Sequence, residues 1–369
     1  MKICAISSGF ASWPGGPEVA LEYLGKYWVE SGHDVYVLCG KGEKRGSAGV
    51  KVFQFPFVSR KYFDNMPIVS RLSFLLPTFE MESFTLVPSL LSSVSRIKPD
   101  IVLTITLPET IVPLLLGCPT IMISQGGLWY RMKLYEKADM IIVNEPISLE
   151  KLRKLGLNVK FIINGTETKS SQPELLEKMR AKYNIPKDGK TILTVARLDT
   201  QKRIHLLIEA FKLIKETATL VIVGEGPEQL RLQKMVDSIQ NKVLFLGKIP
   251  HDDVLMLYEI CDVFSLPSLM EACSLAIIEA VSLGKPVVTN PEPIKMLLLD
   301  DYGHFVNVES PQEYASALLA AVSDGMSART PKFREFVDRY SWKRIAQDYL
   351  DVFEMVLDKR SMDHALIRS

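Results

Sequence analysis

The feature of this chain that most constrains its fold is a repeated alternation between short apolar runs, rich in β-branched residues, and segments with helical periodicity. Residues 221–223 form one such run, which ends at Gly224, and residues 263–266 form another, which ends at Pro267. Apolar runs bounded by turn residues are typical of strands buried on both faces of a parallel sheet. The alternation therefore predicts an α/β fold with parallel strands and connecting helices.

The alternation begins near the amino terminus. Residues 2–6 predict a strand, residues 7–16 a glycine-containing loop, residues 18–31 a helix and residues 35–38 a second strand. Together these segments form a βαβ unit, which calls for a parallel sheet. Further strands of the same sheet are predicted at residues 52–55, 101–106, 120–124, 140–143 and 160–163.

A polar stretch at residues 164–173 interrupts the alternation and predicts a domain boundary. We therefore predict two doubly wound, Rossmann-like domains, at residues 1–168 and 169–341, because 369 residues exceed the size at which one core keeps growing. A last helix within residues 342–369 could fold back on either domain, including the N-terminal one. The second sheet is predicted from strands at residues 191–195, 220–223, 243–246, 263–266 and 286–289, with helices at residues 204–217, 228–240, 252–260 and from about 274.

Composition argues against several classes of function. The 44 basic and 43 acidic residues nearly balance, which gives no basis for nucleic-acid binding. The five cysteines form no C-x-x-C pair and the five histidines are never three or four residues apart, so neither disulfides nor a zinc site is predicted. No apolar run reaches the roughly 18 residues of a membrane-spanning helix, and the first apolar run is too short for a secretory leader. We expect a cytoplasmic protein.

Two carboxylates in the second half are eight residues apart. Glu271 follows the predicted strand at residues 263–266, and Glu279 lies in the helix that begins near Ser274. Within one helix this spacing would separate the side chains by roughly 80° around the axis. Because Glu271 still lies in the loop, both carboxylates can border one pocket, next to the unpaired N–H groups of the first helical turn. The alternatives are a surface acid at Glu271 and a carboxylate paired with the helix dipole at Glu279.

Two cations follow another predicted strand of the same sheet. Arg197 comes after residues 191–195, and Lys202 precedes the next helix. Two cations at a strand end can hold a diphosphate and stabilise its charge without a metal ion, although a solvated loop is the alternative. Combined with the carboxylates, they favour a nucleotide sugar as ligand, since Glu279 can accept both ribose hydroxyls and Glu271 can accept hydroxyls of a sugar.

Two turns contain closely spaced glycines. Gly15-Gly16, in the first predicted loop, allows the backbone to approach a phosphate or a sugar. Gly224-Glu225-Gly226-Pro227 resembles the start of a dinucleotide fingerprint, but it lacks the third glycine. Among the functions compatible with this fold, an NAD-dependent oxidoreductase is therefore the least favoured hypothesis.

The full set of motifs resembles the GT-B-fold retaining glycosyltransferases of family GT4, also called group 1 glycosyltransferases, over nearly the whole chain. The motifs that carry the resemblance lie at residues 15–18, 98–102, 164–167, 195–211, 220–227, 243–247 and 271–279.

The resemblance implies a role for each candidate residue. Arg197 and Lys202 would hold the diphosphate, Glu271 would bind the transferred sugar, and Glu279 would bind the ribose. Further donor-binding positions implied by the resemblance are Gly16, Gln125, Gly224, Lys248, Ile249, Ser274 and Leu275, of which Lys248 and Ile249 would border the base. In this family the acceptor attacks from the face on which the nucleoside diphosphate leaves, so the anomeric configuration is retained. The resemblance implies no metal ion and no cofactor besides the nucleoside diphosphate sugar.

Two positions depart from the family pattern. Many relatives carry a histidine after the strand that corresponds to residues 120–124, where this chain has Gln125. The loop after Glu271 is usually rich in glycine, but here it reads Ala272-Cys273-Ser274, in which Ser274 can serve as a helix N-cap. Either departure is consistent with a different donor or with weaker catalysis.

The sequence therefore predicts a retaining, metal-independent transfer of a hexose from a nucleoside diphosphate sugar to a hydroxyl of a glycan, lipid or small molecule. Two alternatives stay open, a nucleotide-sugar epimerase of the same fold and a non-catalytic nucleotide-sugar-binding protein. Residues 53–93, which are rich in Phe, Leu and Pro and carry Arg60, Lys61 and Arg71, predict either a helical subdomain or a surface for anionic lipid. Peripheral contact with the cytoplasmic membrane face therefore also stays open.

Overall fold

The structure is a computed structural model that describes residues 1–12, 16–43, 46, 48–64, 66, 78–124, 135–167, 171–324 and 331–368. The chain divides into two compact units. Unit 1 comprises Met1–Ile163 and Trp342–Ser369, and unit 2 comprises Asn164–Ser341. The division at Ile163 lies slightly ahead of the predicted boundary at residue 168, and the chain returns to unit 1 at Trp342.

Unit 1 contains a seven-stranded, parallel sheet with the strand order β3-β2-β1-β4-β5-β6-β7. The strands are β1 (Lys2–Ile6), β2 (Asp34–Gly40), β3 (Lys51–Phe55), β4 (Ile101–Thr104), β5 (Thr120–Ser124), β6 (Met140–Val143) and β7 (Val159–Phe161). Every residue of β4 and β5 is buried, as expected for apolar central strands covered on both faces. The strand order reverses between β1 and β4, so this sheet is doubly wound.

The first and last helices of unit 1 pack against each other. The helices of this unit are α1 (Gly16–Glu30), α2 (Arg60–Asp64), α3 (Thr78–Phe84), α4 (Val87–Ile97), α5 (Leu107–Leu115), α6 (Pro146–Lys154) and α15 (Trp342–Arg368). Trp28 of α1 is fully buried, its indole N–H donates to the carbonyl of Ala346, and its ring lies 5.3 Å from that of Phe353. These contacts explain why the last helix belongs to unit 1.

Unit 2 contains a second parallel sheet, with six strands in the order β10-β9-β8-β11-β12-β13. The strands are β8 (Lys190–Val195), β9 (Ala218–Val223), β10 (Lys242–Gly247), β11 (Val263–Ser265), β12 (Val287–Thr289) and β13 (Gly303–Phe305). Its order reverses between β8 and β11, so the second sheet is doubly wound as well. The predicted α/β class with two such sheets is confirmed.

Two helices of unit 2, those predicted at residues 204–217 and 228–240, are shorter than the sequence pattern predicts. The helices of this unit are α7 (Pro173–Lys182), α8 (Ile204–Phe211), α9 (Gln229–Met235), α10 (His251–Ile260), α11 (Leu275–Ser282), α12 (Pro293–Leu299), α13 (Pro311–Asp324) and α14 (Pro331–Asp338). The helix predicted to reach residue 217 ends at Phe211. The side-chain amide of Asn241 donates to the carbonyls of Ile214 and Glu216, and these long-range hydrogen bonds hold the segment outside the helix.

The structure also bears on the remaining sequence expectations. All five cysteines are free, as predicted. Among the described residues, no helix has both the length and the apolar character needed to cross a bilayer.

The short helices α2 and α3 expose three aromatic side chains, those of Tyr62, Phe79 and Phe84. Arg71 lies outside the described residues, and contact of this surface with lipid stays a prediction.

Candidate functional site

The candidate site lies at the reversal of strand order in unit 2. There, Val263 of β11 pairs with Ile192 of β8, and the carboxyl ends of the two strands lie at the same edge of the sheet. The loop after β8 carries Arg197 and Lys202, and the loop after β11 carries Glu271. Ligands of open α/β sheets bind at the carboxyl ends of strands where the order reverses.

Lys202 and Glu271 form an ion pair at this edge. The Nζ atom of Lys202 lies 2.7 Å from Oε1 of Glu271, and their side chains are only 23% and 8% exposed. Asp199 fixes the position of Lys202, because its carboxylate accepts the backbone N–H of Lys202 at 3.1 Å. A charge-assisted hydrogen bond between largely buried groups is stronger than one in water. The structure thus brings together two of the three residues predicted to be catalytic.

Arg197 lies on the same loop in a more open environment. Its side chain is 72% exposed, and its Nε atom donates to Oδ2 of Asp199 at 2.9 Å. Asp199 therefore contacts both predicted cations, one through the guanidinium and the other through the backbone. An exposed ion pair of this kind contributes little free energy, so the guanidinium can reorient toward an anionic ligand.

Two glycines of the neighbouring turn allow the loop after β8 to pack closely. Gly224 has a φ angle of +123°, and a Cβ atom there would lie 1.9 Å from the carbonyl oxygen of Ala196. A Cβ atom on Gly226 would lie 2.2 Å from the carbonyl oxygen of Leu198. Any larger residue would therefore displace the loop. The structure gives both glycines this packing role, whereas donor binding by Gly224 stays a prediction.

The loop that carries Glu271 is held along its length by residues of three other segments. The anchoring hydrogen bonds run from Arg203 Nε to Pro267 O (2.8 Å), from Lys295 Nζ to Ser268 O (2.6 Å), from Leu269 N to Gln201 O (2.8 Å), from Glu271 N to Glu292 Oε1 (3.2 Å) and from Asn164 Nδ2 to Cys273 O (3.2 Å). Arg203 adopts a left-handed backbone with a φ angle of 50°. This conformation costs a non-glycine residue about 1–2 kcal/mol.

A buried charge pair, Lys295 of α12 and Glu292 just before α12, supports this loop. Lys295 is fully buried, its Nζ atom donates to Oδ1 of Asn290 at 2.9 Å, and it lies 3.6 Å from Oε2 of Glu292. Burial lowers the pKa of Lys295 to about 8, against the opposing effect of the Glu292 and Glu271 carboxylates. Burial also raises the pKa of Glu292. Removing either partner would leave a buried charge uncompensated.

Glu279 lies within α11 and has a different partner from Glu271. Its Oε1 atom lies 2.7 Å from Nε2 of His251, the first residue of α10, and the two side chains are 7% and 31% exposed. Ser274 stands at the N-cap position of α11, but its side chain makes no capping hydrogen bond. The predicted N-cap position of Ser274 is therefore confirmed, although its side chain does not supply the capping hydrogen bond. Leu275, the first residue of α11, is half-buried.

The predicted base-binding segment follows β10. The backbone N–H of Lys248 donates to Oε1 of Glu225 at 3.3 Å, and the side chain of Lys248 is exposed. Ile249 is half-buried. The backbone N–H of Gly224 donates to the carbonyl of Gly247 at 2.8 Å, which ties this segment to the turn after β9.

The predicted donor-binding positions in unit 1 have different outcomes. Gln125 and Gly15 lie outside the described residues. Gly16 was predicted in a loop, but it is the first residue of α1 and is exposed. The prediction placed the start of the helix too late, because Pro17 is compatible with a first helical turn and does not delay it.

Sequence reasoning missed four residues of the site, namely His251, Arg203, Glu292 and Lys295. Lys295 had a recognisable signal, since it is the single charged residue in the otherwise apolar segment of α12. His251 had none, because it follows Pro250 and precedes two aspartates, a pattern common in exposed first turns. The partners of both residues come from distant parts of the chain.

The chain matches two described protein families, one in each half. Residues 14–170 match Glycosyltransferase Family 4, and residues 176–339 match Glycosyl transferases group 1. The first match covers most of Met1–Ile163 in unit 1 and continues to residue 170, and the second lies within unit 2. This chain belongs to the group 1 glycosyltransferases.

Relatives of this group 1 glycosyltransferase include both uncharacterised and characterised proteins. It is 29% identical over 246 residues to an uncharacterised glycosyltransferase of Methanocaldococcus jannaschii, which covers 61% of this chain and 62% of that protein. It is 28% identical over 212 residues to the alpha-monoglucosyldiacylglycerol synthase of Streptococcus pneumoniae, covering 54% of this chain and 48% of that protein. The match thus spans less than two thirds of the length of either relative.

Solved structures of low sequence identity share the whole fold. The sucrose-phosphate synthase of Thermosynechococcus elongatus superposes with a TM-score of 0.76 at 21% identity, covering 97% of this group 1 chain and all of that chain. HepE of Anabaena, in complex with UDP and glucose, superposes with a TM-score of 0.73 at 20% identity, covering 96% of this chain and all of that one. The fold is therefore GT-B.

Proposed function

We propose that this protein transfers a hexose from a nucleoside diphosphate sugar to a hydroxyl acceptor, with retention of the anomeric configuration and without a metal ion. The observation that carries the proposal is the Lys202–Glu271 ion pair at the strand-order reversal of unit 2. A cation next to a carboxylate matches the two polar parts of such a donor, the diphosphate and the sugar hydroxyls. The UDP and glucose bound by HepE, a protein of the same fold, support this class of donor.

Donor binding exchanges the partners of this ion pair. The diphosphate takes the ammonium group of Lys202, and Glu271 then accepts hydroxyls of the sugar. The exchange keeps both charges compensated, which matters because the side chains are largely buried and an unpaired buried charge costs several kcal/mol. Arg197 turns from Asp199 to the diphosphate, and Glu279 accepts the ribose hydroxyls.

The transfer step breaks the bond between C1 of the sugar and the oxygen of the β-phosphate. A new bond forms between C1 and the acceptor oxygen on the same face, and the acceptor proton passes to the departing phosphate oxygen. Negative charge grows on that phosphate as the bond breaks. Lys202, Arg197 and the unpaired N–H groups at the start of α11 stabilise it.

A donor screen followed by one substitution tests this function. We expect UDP, GDP or ADP sugars to raise the melting temperature of the protein, because a ligand that binds only the folded state stabilises it. The donor that binds is then assayed for release of its nucleoside diphosphate. Lys202→Ala should lower the rate of release by roughly 10²–10³-fold, the usual effect of removing one group that stabilises developing charge. Lys212→Ala is the matched control, since Lys212 is an exposed lysine just after α8.

Three results would contradict the proposal. An unchanged rate in Lys202→Ala would remove the assigned role of this residue. Conversion of the sugar without release of a nucleoside diphosphate would indicate an epimerase. Donor binding without turnover across a broad panel of hydroxyl acceptors would indicate a non-catalytic nucleotide-sugar-binding protein.

A further inference from the structure

The ribose-binding carboxylate of the proposed function makes an unexpected contact with a histidine. Nε2 of His251 lies 2.7 Å from Oε1 of Glu279. The two residues come from the start of α10 and the second turn of α11, and they are 28 positions apart in the sequence. An ionised carboxylate can only accept hydrogen bonds, so the imidazole donates through Nε2.

A second polar side chain approaches the same carboxylate from the interior. Tyr258 is fully buried, and burial together with the nearby charge of Glu279 holds the pKa of Tyr258 well above its ordinary range. A side-chain hydrogen bond between Tyr258 and Glu279 contributes to the same shift. Two side chains therefore approach the Glu279 carboxylate, the buried Tyr258 and the partly exposed His251.

Asp253, in the same first turn of α10, is engaged elsewhere. Asp253 accepts hydrogen bonds from Lys182 and Tyr183, both at 2.5 Å, at the contact between α10 and α7. The side of the turn that carries His251 meets α11 instead. The first turn of α10 is thus fixed on one side by the Asp253 contacts, and His251 contacts Glu279 on the other.

We propose that His251 is a positioning residue for the donor ribose. It holds Oε1 of Glu279, so that the other carboxylate oxygen is presented to the 2′- and 3′-hydroxyls of the nucleotide. This inference rests on the proposed function, in which Glu279 binds the ribose. It adds that His251 sets the preference of the site for ribonucleotides over deoxynucleotides, although His251 itself need not contact the sugar.

The physical reason is the cost of ordering a flexible carboxylate. A glutamate side chain with no fixed partner samples several rotamers, and a ligand that selects one of them must offset the lost entropy. A hydrogen bond from His251 that fixes the carboxylate before the nucleotide binds removes this cost. Loss of a hydrogen bond to a charged group should therefore weaken binding by roughly 10–150-fold.

The test compares a nucleotide with its analogue that lacks both ribose hydroxyls. UDP, GDP and ADP are titrated into the wild-type protein by calorimetry, and the one that binds is then compared with its 2′,3′-dideoxy analogue. His251→Ala and His251→Met should weaken binding of the ribonucleotide by about 10-fold or more and leave binding of the dideoxy analogue unchanged. His251→Gln, which keeps a side-chain N–H donor, should restore part of the loss. Adding His251→Ala to Glu279→Gln should cause no further loss.

Asp252→Asn is the matched control, because Asp252 is an exposed residue of the same helical turn as His251. It should leave the affinity for both nucleotides unchanged. Equal affinity of wild type and His251→Met for the ribonucleotide would overturn the inference, as would an equal loss for the dideoxy analogue, which would indicate a general structural effect. If no nucleoside diphosphate binds the wild-type protein, the proposed function fails instead.

Discussion

Individual carboxyl groups of unit 1 are buried at the carboxyl ends of the central strands. Glu109 of α5 is fully buried, and its carboxylate accepts hydrogen bonds from Ser8 N (2.7 Å), Ser83 Oγ (3.2 Å), Ile105 N (3.2 Å) and Thr106 N (3.0 Å). Glu80 of α3 is buried as well and accepts a hydrogen bond from Leu107 N at 3.1 Å. Glu109 thus fixes the turns after β1 and β4, whereas Glu80 is less well compensated. Burial raises the pKa of both carboxyl groups.

We expect Glu80→Gln to make unit 1 more stable near and above neutral pH. Burial raises the pKa of Glu80 from 4.5 to about 7, so the folded state holds the proton more tightly than the unfolded chain does. The stabilisation from the protonated group is fully present below about pH 4.5 and is lost as the pH rises to about 7. One unit of difference between the folded and unfolded pKa corresponds to about 1.4 kcal/mol, so ionisation of Glu80 lowers the free energy of unfolding by on the order of 3 kcal/mol.

Urea unfolding at about pH 5 and pH 8 measures this effect. The fall in the free energy of unfolding between the two values should be smaller in Glu80→Gln than in the wild type, since glutamine keeps an acceptor for the N–H of Leu107 and cannot ionise. Glu30→Gln, at an exposed position at the end of α1, should unfold like the wild type. Parallel pH profiles of wild type and Glu80→Gln would show that Glu80 does not ionise in this range.

At the scale of the element, one helix end is held in a strained backbone conformation. Lys98, the residue that follows α4, has a left-handed backbone with a φ angle of 50° and a ψ angle of 64°, and its N–H donates to the carbonyl of Val94. Glycine is favoured at this position of a helix because it has no Cβ atom. Lys98 is exposed, so its side chain offers little packing in return.

Lys98→Gly should therefore stabilise unit 1. The relief of left-handed strain exceeds the extra entropy that glycine gives the unfolded chain, and we expect a net gain of about 0.5–1 kcal/mol. Differential scanning calorimetry should show this as a higher melting temperature. Lys212→Gly is the comparison, since Lys212 also follows directly after a helix and is exposed, but has a right-handed backbone with a φ angle of −56°. That variant should be less stable than the wild type, and a loss of stability in Lys98→Gly would contradict the argument.

At the scale of the whole molecule, the amino acids at the two ends of the chain form one core. Unit 1 takes its α15 from beyond unit 2, and Phe353 of this helix is fully buried with its ring near Trp28 of α1. The N-terminal unit is therefore incomplete until the last helix has been made. Its stability should depend on side chains more than 300 residues away in sequence, as the Trp28–Ala346 hydrogen bond illustrates with a separation of 318.

Phe353→Ala tests this dependence. Removing a buried aromatic side chain creates a cavity, and we expect unit 1 to lose about 3–5 kcal/mol of stability. Hydrogen exchange should accelerate in peptides from α1, which α15 covers. Met355→Ala on the same helix is the control, because Met355 is 47% exposed. Unchanged exchange in α1 after Phe353→Ala would mean that this packing contributes little to the core.

Much of the architecture could be predicted from local patterns. The apolar runs gave the strands of both sheets because a strand buried on two faces must be apolar along its whole length. The ends of the helices were less predictable. α8 stops at Phe211 because Asn241, which lies beyond the next strand, binds the carbonyls of Ile214 and Glu216. A hydrogen bond between distant segments leaves no periodic signal in the sequence.

The sequence by itself determined the two α/β units and the candidate residues Arg197, Lys202, Glu271 and Glu279, because the ends of strands and the starts of helices follow from hydrophobic periodicity. Only the tertiary structure decided the partners of these residues. It pairs Lys202 with Glu271 and Glu279 with His251, and it supports the Glu271 loop through the buried Lys295. The physical reason is that hydrogen bonds and desolvation act at distances of a few ångströms, and the reversal of strand order at β8 and β11 brings together segments that are far apart in the chain.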